Sequence, residues 1–311
     1  GGQGRMTWLG GWVVMRRWGE MSKFSHSVFA LPFALMATFM AGRAAYDAGD
    51  AAQKHPAGVL IALIVCCMVA ARSAAMTFNR LVDAGLDGRN PRTAGRALPA
   101  GTVSRAQAAL FLALASAAFV LCSAGFWWVS GNAWPVMLSV PVLAYLFFYS
   151  YTKRFTRWSH FVLGSAIAMS PPASWLAVHP ASLGWPAVVL GGAVILWIGG
   201  FDIIYACQDV EADRREGLHS LPARLGVGPA LWIARAAHAA TVACLLVLVS
   251  LGGLGGWYLL GVAMVAVLLL LENALVRPTD LSRVNMAFFT VNGVISLLLG
   301  VLTIADVLSR G

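Results

Sequence analysis

Apolar residues in this chain neither alternate nor recur at helical spacing; they come in long runs, each closed by charge, glycine or proline. Nine such runs lie near residues 26–43, 58–79, 104–126, 133–150, 160–178, 185–206, 228–250, 254–276 and 284–306. Each approaches the roughly 20 residues that a helix needs to cross a bilayer core. Strands are shorter and alternate, and within lipid each segment must satisfy its own backbone hydrogen bonds. The pattern predicts an all-α membrane protein with nine transmembrane helices spanning residues 26–306. Residues 1–25 form an N-terminal segment ahead of it. Gly1 to Arg5 precede Met6 and read as a cloning remnant. The stretch from Met6 to Met21 is broken by Arg16, Arg17 and Glu20, so it lacks the apolar centre of a cleavable signal.

Composition supports lipid as the solvent, since 59% hydrophobic and 11% charged residues do not make a soluble surface. A net charge of +9 could suit nucleic acid, but the basic residues sit in short clusters between apolar runs, so no nucleic-acid partner is expected. Those clusters set an orientation instead. One side holds Arg5, Arg16, Arg17 and Lys23, five Lys or Arg in 80–105, three in 151–159, three in 207–227 and two in 277–283. The other side holds Arg43, Lys54 and Arg310, and Arg72 and Arg235 fall inside spans. Short cytoplasmic loops retain positive charge, so the N-terminus is expected in the cytoplasm and the C-terminus outside. The outer loops are short and Trp-edged. The inner loops after the second and sixth runs hold most of the acidic residues, which places candidate chemistry at the cytoplasmic face.

The five cysteines form no CxxC pair, and the six histidines form no HxxxH or His/Cys group. Any metal should therefore be a hard cation on carboxylates. The first acidic stretch, NRLVDAGLDGRNPRTAGRALPAG from Asn79 to Gly101, steps Asn79, Asp83 and Asp87 by four along one helix face. Carboxylates one turn apart repel unless a cation lies between them, and Mg²⁺ takes one or two carboxylates together with substrate phosphates. Arg89, Arg92 and Arg96 follow at the same mouth, with forks that match phosphate oxygens. The second stretch, DIIYACQDVEADRREGLHSLPARLG from Asp202 to Gly226, repeats the step through Tyr205, Asp209 and Asp213, with Asp202 seven residues before Asp209. A single such pair suits a solvated helix end. Two in matching positions, with Asp202 inside a span, fit a diphosphate held through bridging metal ions.

These residues resemble the UbiA superfamily of intramembrane prenyltransferases, over essentially the whole chain. The resemblance rests on Asn79-Asp83-Asp87 as NxxxDxxxD, on Asp209-Asp213 as DxxxD, and on Tyr149 and Lys153 within YSYTKR. The wording ARSAAMTFNRLVD and DIIYACQDVEAD is most similar to bacterial 4-hydroxybenzoate polyprenyltransferases and to relatives in menaquinone pathways. The resemblance implies nine helices around a central cavity in the bacterial inner membrane, with both Asp motifs at the cytoplasmic mouth. It implies Mg²⁺-dependent transfer of a polyprenyl group from its diphosphate to a small aromatic acid, 4-hydroxybenzoate or a naphthoate, ortho to the hydroxyl, in quinone biosynthesis. Asn79, Asp83, Asp87, Asp209 and Asp213 would hold the metal. Arg92, Arg96, Lys153 and Lys23 would neutralise the diphosphate, with Asp202 and Tyr205 in the same surroundings, and Tyr149 would face the allylic cation. The tail would leave through a gap between helices into lipid.

Arg72 lies seven residues before Asn79 on the same face. A charge there is costly toward lipid and needs a partner. A neighbouring carboxylate such as Asp202 or Glu272 is one candidate; the carboxylate of the aromatic acid, favoured by the resemblance, is the other. Glu272 would otherwise pair with Arg277 or Arg283. Asn285, Asn292, Ser27, His160 and Ser174 suit hydrogen bonding between helices. A transporter is the rival from another class, but it would place ionisable groups near mid-membrane and at both faces rather than at one mouth. A haem O or chlorophyll branch of the superfamily would leave the carboxylate role of Arg72 without purpose.

Overall fold

The computed structural model describes residues 27–50 and 56–310. Among these it is helical throughout, with nine helices or helix pairs long and apolar enough to cross a membrane. They are α1 (Ser27–Asp47), α2 (Gly58–Arg89), α3 (Arg105–Ser130), α4 (Trp134–Thr152), the pair α5 (Ser159–Ala168) and α6 (Ser170–Val178), and α7 (Trp185–Ala206) with its extension α8 (Val210–Arg215). A short α9 (Leu221–Leu225) leads into α10 (Val227–Leu251), α11 (Gly256–Leu275) and α12 (Asn292–Ser309). The predicted spans match these elements closely. The main difference is α2, which continues about three turns beyond its apolar run to Arg89, because the carboxylates on its end are neutralised by cations from other loops.

Local sequence explains the irregular points. Pro171 and Pro172 open α6 and remove the amides that would continue α5, so the fifth span bends at Met169. Ser104 and Gln107 exchange side-chain and backbone hydrogen bonds as a capping box at the start of α3. Ahead of α12, Ala287–Val291 form a π turn. Asn292 Nδ2 donates both to the Ala287 carbonyl (3.1 Å) and to Glu272 Oε1 (2.8 Å), while Trp197 Nε1 donates to Asn292 Oδ1 (2.7 Å). Glu272 is thus held by Asn292 inside the bundle, contrary to the expected pairing with Arg277 or Arg283. Asn292 joins three helices as expected, whereas Asn285 is exposed.

The bundle is apolar on its outside as well as inside. Leu110, Leu114 and Leu121 lie along the exposed side of α3, and Leu270 of α11 is 72% exposed; lipid, not water, is the partner for such faces. Trp127, Trp128, Trp134, Trp185 and Trp257 are exposed near one set of helix ends and Trp158 and Trp232 near the other, as interfacial aromatic belts. Inside, α7 carries the core through Leu190, Val194, Trp197, Ile198 and Phe201, all nearly inaccessible.

Small residues let helix backbones approach where packing alone must hold them together. A Cβ added at Gly164 of α5 would lie 2.6 Å from the Ile195 carbonyl oxygen of α7, and one at Gly199 would lie 2.5 Å from the Phe161 ring. This contact sets the distance between α5 and α7. Gly164→Val should therefore force the two apart and lower stability in detergent by about 1–3 kcal/mol, read as a fall in the thermal midpoint; an unchanged midpoint would refute the tight contact.

Candidate active site

The two acidic stretches meet. Asn90 and Arg92, just beyond α2, reach across to Asp209 at the end of α7: Asn90 Nδ2 donates to Oδ1 at 3.0 Å, and the Arg92 guanidinium forks onto both carboxylate oxygens, Nε at 2.8 Å. Arg92 Nη1 also donates to the Tyr205 hydroxyl (2.7 Å), and its guanidinium sits 5.0 Å above the Tyr205 ring. Further out, Arg89 forks onto Glu216 at 2.8 and 2.6 Å, which holds that carboxyl below the usual carboxylate range. The His219 amide donates to the Lys153 carbonyl (2.7 Å), tying a third loop to the same mouth.

Each carboxylate on α2 is buried and charge-paired from outside its helix. Asp83, 2% exposed, accepts from Lys153 Nζ at 2.7 Å and Arg154 Nη2 at 3.0 Å, and from Asn79 Nδ2 at 3.2 Å. Asp87 accepts from Arg96 Nη1 at 2.6 Å, while Arg80 Nη1 stands 3.7 Å from its other oxygen. Asp213 accepts from Ser220 Oγ at 2.5 Å. Arg80, Arg154, Asn90 and Ser220 belong to this constellation, although sequence reading assigned them no role. For Arg80 and Arg154 the signal was adjacency to Asn79 and Lys153.

The second stretch departs from the regular four-residue step. α7 stops at Ala206, Cys207–Asp209 make a 3₁₀ turn, and α8 begins at Val210. Asp209 has φ −107° and ψ 8°, which cannot continue an α-helix, and Arg92 and Asn90 clamp it there. Tyr205, Asp209 and Asp213 therefore share a cavity without sharing one helical face. Asp202 lies within α7 itself, where it accepts from His160 Nδ1 (2.7 Å). The Leu221 amide donates to His160 Nε2 at 3.2 Å, so the ring is the tautomer with its proton on Nδ1. This is the helix-to-helix bond expected of His160.

A cavity of about 270 Å³ lies between the stretches, lined by Asn79, Asp83, Asp87, Arg92, Arg96, Lys153, Asp202, Tyr205, Asp209 and Asp213. Arg72 and Tyr149 form its deep end. Arg72 makes no hydrogen bond or ion pair with any described residue, and its Nε is fully enclosed. Neither Asp202 nor Glu272 answers it. Lys23 lies outside the described residues.

The donors around the cavity suit a hard cation. Asp87 Oδ2 is enclosed without a hydrogen-bond partner, and the available ligands are carboxylate and amide oxygens. Among the described residues no three carboxylate, His or Cys side chains converge into a preformed cage. The oxygen donors suit Mg²⁺, which takes one or two carboxylates and completes its shell with water and phosphate oxygens.

Comparison with known proteins gives the family. Residues 30–294 match the UbiA prenyltransferase family. The chain belongs to that family. It is 32% identical over 249 residues to the 4-hydroxybenzoate octaprenyltransferase of Edwardsiella ictaluri, covering 79% of this chain and 84% of that one. It is 30% identical over 241 residues to the same-named protein of Pseudomonas fluorescens, covering 76% and 78%. Among solved structures, the apo UbiA homologue of Aeropyrum pernix superposes with a TM-score of 0.78 at 30% identity, covering 90% of this chain and 98% of that one. The fold also matches a UbiA homologue of Archaeoglobus fulgidus solved with GPP and Mg²⁺, with a TM-score of 0.67 at 16% identity over 94% and 99% of the two chains. The nine-span fold and prenyltransferase class read from the sequence agree with these findings.

The Arg92 fork crosses the mouth beside the Asn90–Asp209 and Arg89–Glu216 ties. Arg92→Ala should speed amide hydrogen exchange in residues 90–101 and 207–220 by roughly an order of magnitude or more, the loss of charge-assisted hydrogen bonds worth about 1.5–3 kcal/mol. Exchange unchanged in the second segment would show that the tie holds nothing across the cavity.

Proposed function

We propose that this prenyltransferase moves a polyprenyl group from polyprenyl diphosphate to the ring of 4-hydroxybenzoate, ortho to the hydroxyl, in respiratory quinone biosynthesis. The observation that carries the acceptor is Arg72: a cation inside a span, at the floor of the cavity, with no anion among the described residues. A charge so placed calls for a ligand carboxylate. The curated relatives, named as 4-hydroxybenzoate octaprenyltransferases, support the same acid.

Asp83, Asp87, Asp209 and Asp213, with Asn79, would hold Mg²⁺ ions, one or two carboxylates to each, together with the donor's diphosphate; the bound metal would supply charge stabilisation on the leaving phosphate oxygens. Arg92, Arg96 and Lys153 now neutralise those carboxylates. As the donor arrives they turn to its phosphates, so the mouth stays charge-balanced through binding. The donor's C–O bond breaks, the electron pair leaves with the diphosphate, the ring carbon bonds to the allylic cation, and a ring proton is released. Tyr149, which lines the deep end of the cavity, would offer its ring to that cation. The apolar residues around the deep end keep out water that would capture it. Residues 26–306 form the catalytic unit, in a bacterial inner membrane, and the Lys/Arg-rich loops around the mouth face the cytoplasm.

A radiolabelled transfer assay with purified protein and Mg²⁺, comparing 4-hydroxybenzoate with naphthoate acids, tests the reaction; transfer to the naphthoates alone would move the assignment to the menaquinone branch. In the same assay, Arg72→Ala should raise the acid's KM roughly 10- to 100-fold, the worth of a charged hydrogen bond. The donor's KM should stay within about twofold by the same separation of sites. An unchanged acid KM would refute the anchor.

A further inference from the structure

A second polar cluster lies behind the cavity wall, apart from the charges of the mouth. Glu272 of α11 and Asn292 of α12 are both inaccessible, and neither lines the cavity. Asn292 uses all of its side-chain polar groups: Nδ2 donates to Glu272 Oε1 (2.8 Å) and to the Ala287 carbonyl (3.1 Å), and Oδ1 accepts from Trp197 Nε1 of α7 (2.7 Å). Glu272 engages through Oε1 alone, since its Oε2 is enclosed without a hydrogen-bond partner. An ionisable side chain inside a span is costly and calls for a role. The helix that carries it is pinned at the same level. Asn273 Nδ2 donates to His238 Nδ1 of α10 (2.8 Å), and a Cβ added at Gly200 of α7 would collide with the His238 ring. The Glu272 carboxyl is thus a fixed point against which the start of α12 is registered.

Asn292 holds the π turn Ala287–Val291, in which the helix gains one residue. That extra residue turns everything before it by roughly 100° about the helix axis. Phe288 stands on this turn, buried and facing the cavity. Its ring packs on Tyr205 with centroids 4.3 Å apart, on Phe201 at 5.1 Å and on Phe29 at 5.8 Å. Tyr205 accepts from Arg92 Nη1 (2.7 Å), and Arg92 forks onto Asp209. A line of direct contacts therefore runs from Glu272 through Asn292, the π turn and Phe288 to Tyr205 and Arg92 at the mouth.

We propose that Glu272 and Asn292 are positioning residues for the prenyl donor. By fixing the π turn they hold Phe288 against Tyr205, and so set where Tyr205 and Arg92 stand toward the diphosphate. This rests on the prenyl-transfer reading. The line of contacts ends at Arg92, whereas Arg72 lies on α2 at the deep end of the cavity. Loss of the Glu272 acceptor is therefore felt by the donor and not by the aromatic acid.

The test separates positioning from stability. Glu272→Met keeps the length of the side chain and removes the acceptor, whereas Glu272→Gln keeps Oε1. Binding of geranyl diphosphate with Mg²⁺ is measured on the purified full chain, with the KM values of donor and acid and the thermal midpoint beside it. Glu272→Met should weaken geranyl diphosphate about fivefold or more, the worth of one lost hydrogen bond. The acid's KM should stay within about twofold, and Glu272→Gln should restore the donor's affinity to within about twofold of wild type. Phe288→Leu breaks the line at its other end and should weaken the donor alone. The double variant Glu272→Met/Phe288→Leu should then be no weaker than the worse single variant by more than about twofold, because both act through one contact. Wild-type donor affinity in Glu272→Met, with or without a lowered midpoint, would reduce the pair to a structural role and overturn the proposal. So would a Gln variant as defective as Met, or effects that add in the double variant. If Glu272→Met does not fold, Phe288→Leu decides: a loss confined to the donor upholds the proposal, and unchanged donor affinity overturns it. Binding needs no acceptor, so these outcomes hold even if the transfer assay finds no acid that accepts the chain. A wild-type protein that binds no prenyl diphosphate overturns both readings.

Discussion

A charge brought within a membrane must meet an opposite charge, and this requirement organises the molecule. Asp83, Asp87 and Asp209 crowd one end of the bundle, and each is answered by a cation from a loop: Asp83 by Lys153 and Arg154, Asp87 by Arg96 with Arg80 of its own helix nearby, and Asp209 by Arg92. The pairs draw the loops after α2, α4 and α7 over a common mouth. They also carry α2 past the end of its apolar run, since its last turns expose carboxylates only where guanidinium groups cover them. Deeper in the cavity Arg72 has no hydrogen-bond or ion-pair partner among the described residues, and the same rule motivates the proposal that a ligand's anion meets it there.

Much of this was legible in the sequence, for definite reasons. Apolar run length measures a bilayer directly, so the spans were placed within a few residues. The step from Asn79 to Asp83 to Asp87 was a true helical face because α2 continues unbroken beneath it. The same arithmetic misled at Tyr205, Asp209 and Asp213, since α7 ends at Ala206 and the 3₁₀ turn after it carries Asp209 to the fork of Arg92, distant in sequence. Spacing cannot register a partner on another loop. For the same reason the role of Ser220 and the bond that Asn292 donates to Glu272 were out of reach: each depends on which helices become neighbours.

Polar and apolar halves of the interior meet at a narrow level. Above Arg72 and Tyr149 the cavity is built from ionisable groups paired with one another; beyond them it is built from alanine, methionine, leucine and phenylalanine. On the far side the aromatic cluster packs together and α1 approaches α12 closely.

On this reading the acceptor's carboxylate completes the charge of Arg72. The sharpest check is the rate of prenyl transfer by the wild-type protein, with Mg²⁺, to 4-hydroxybenzoate and to its neutral amide, which keeps ring, hydroxyl and shape. The kcat/KM for the amide should fall by roughly tenfold or more, the worth of a charge-assisted hydrogen bond. Equal kcat/KM for acid and amide would mean that Arg72 does not hold the carboxylate.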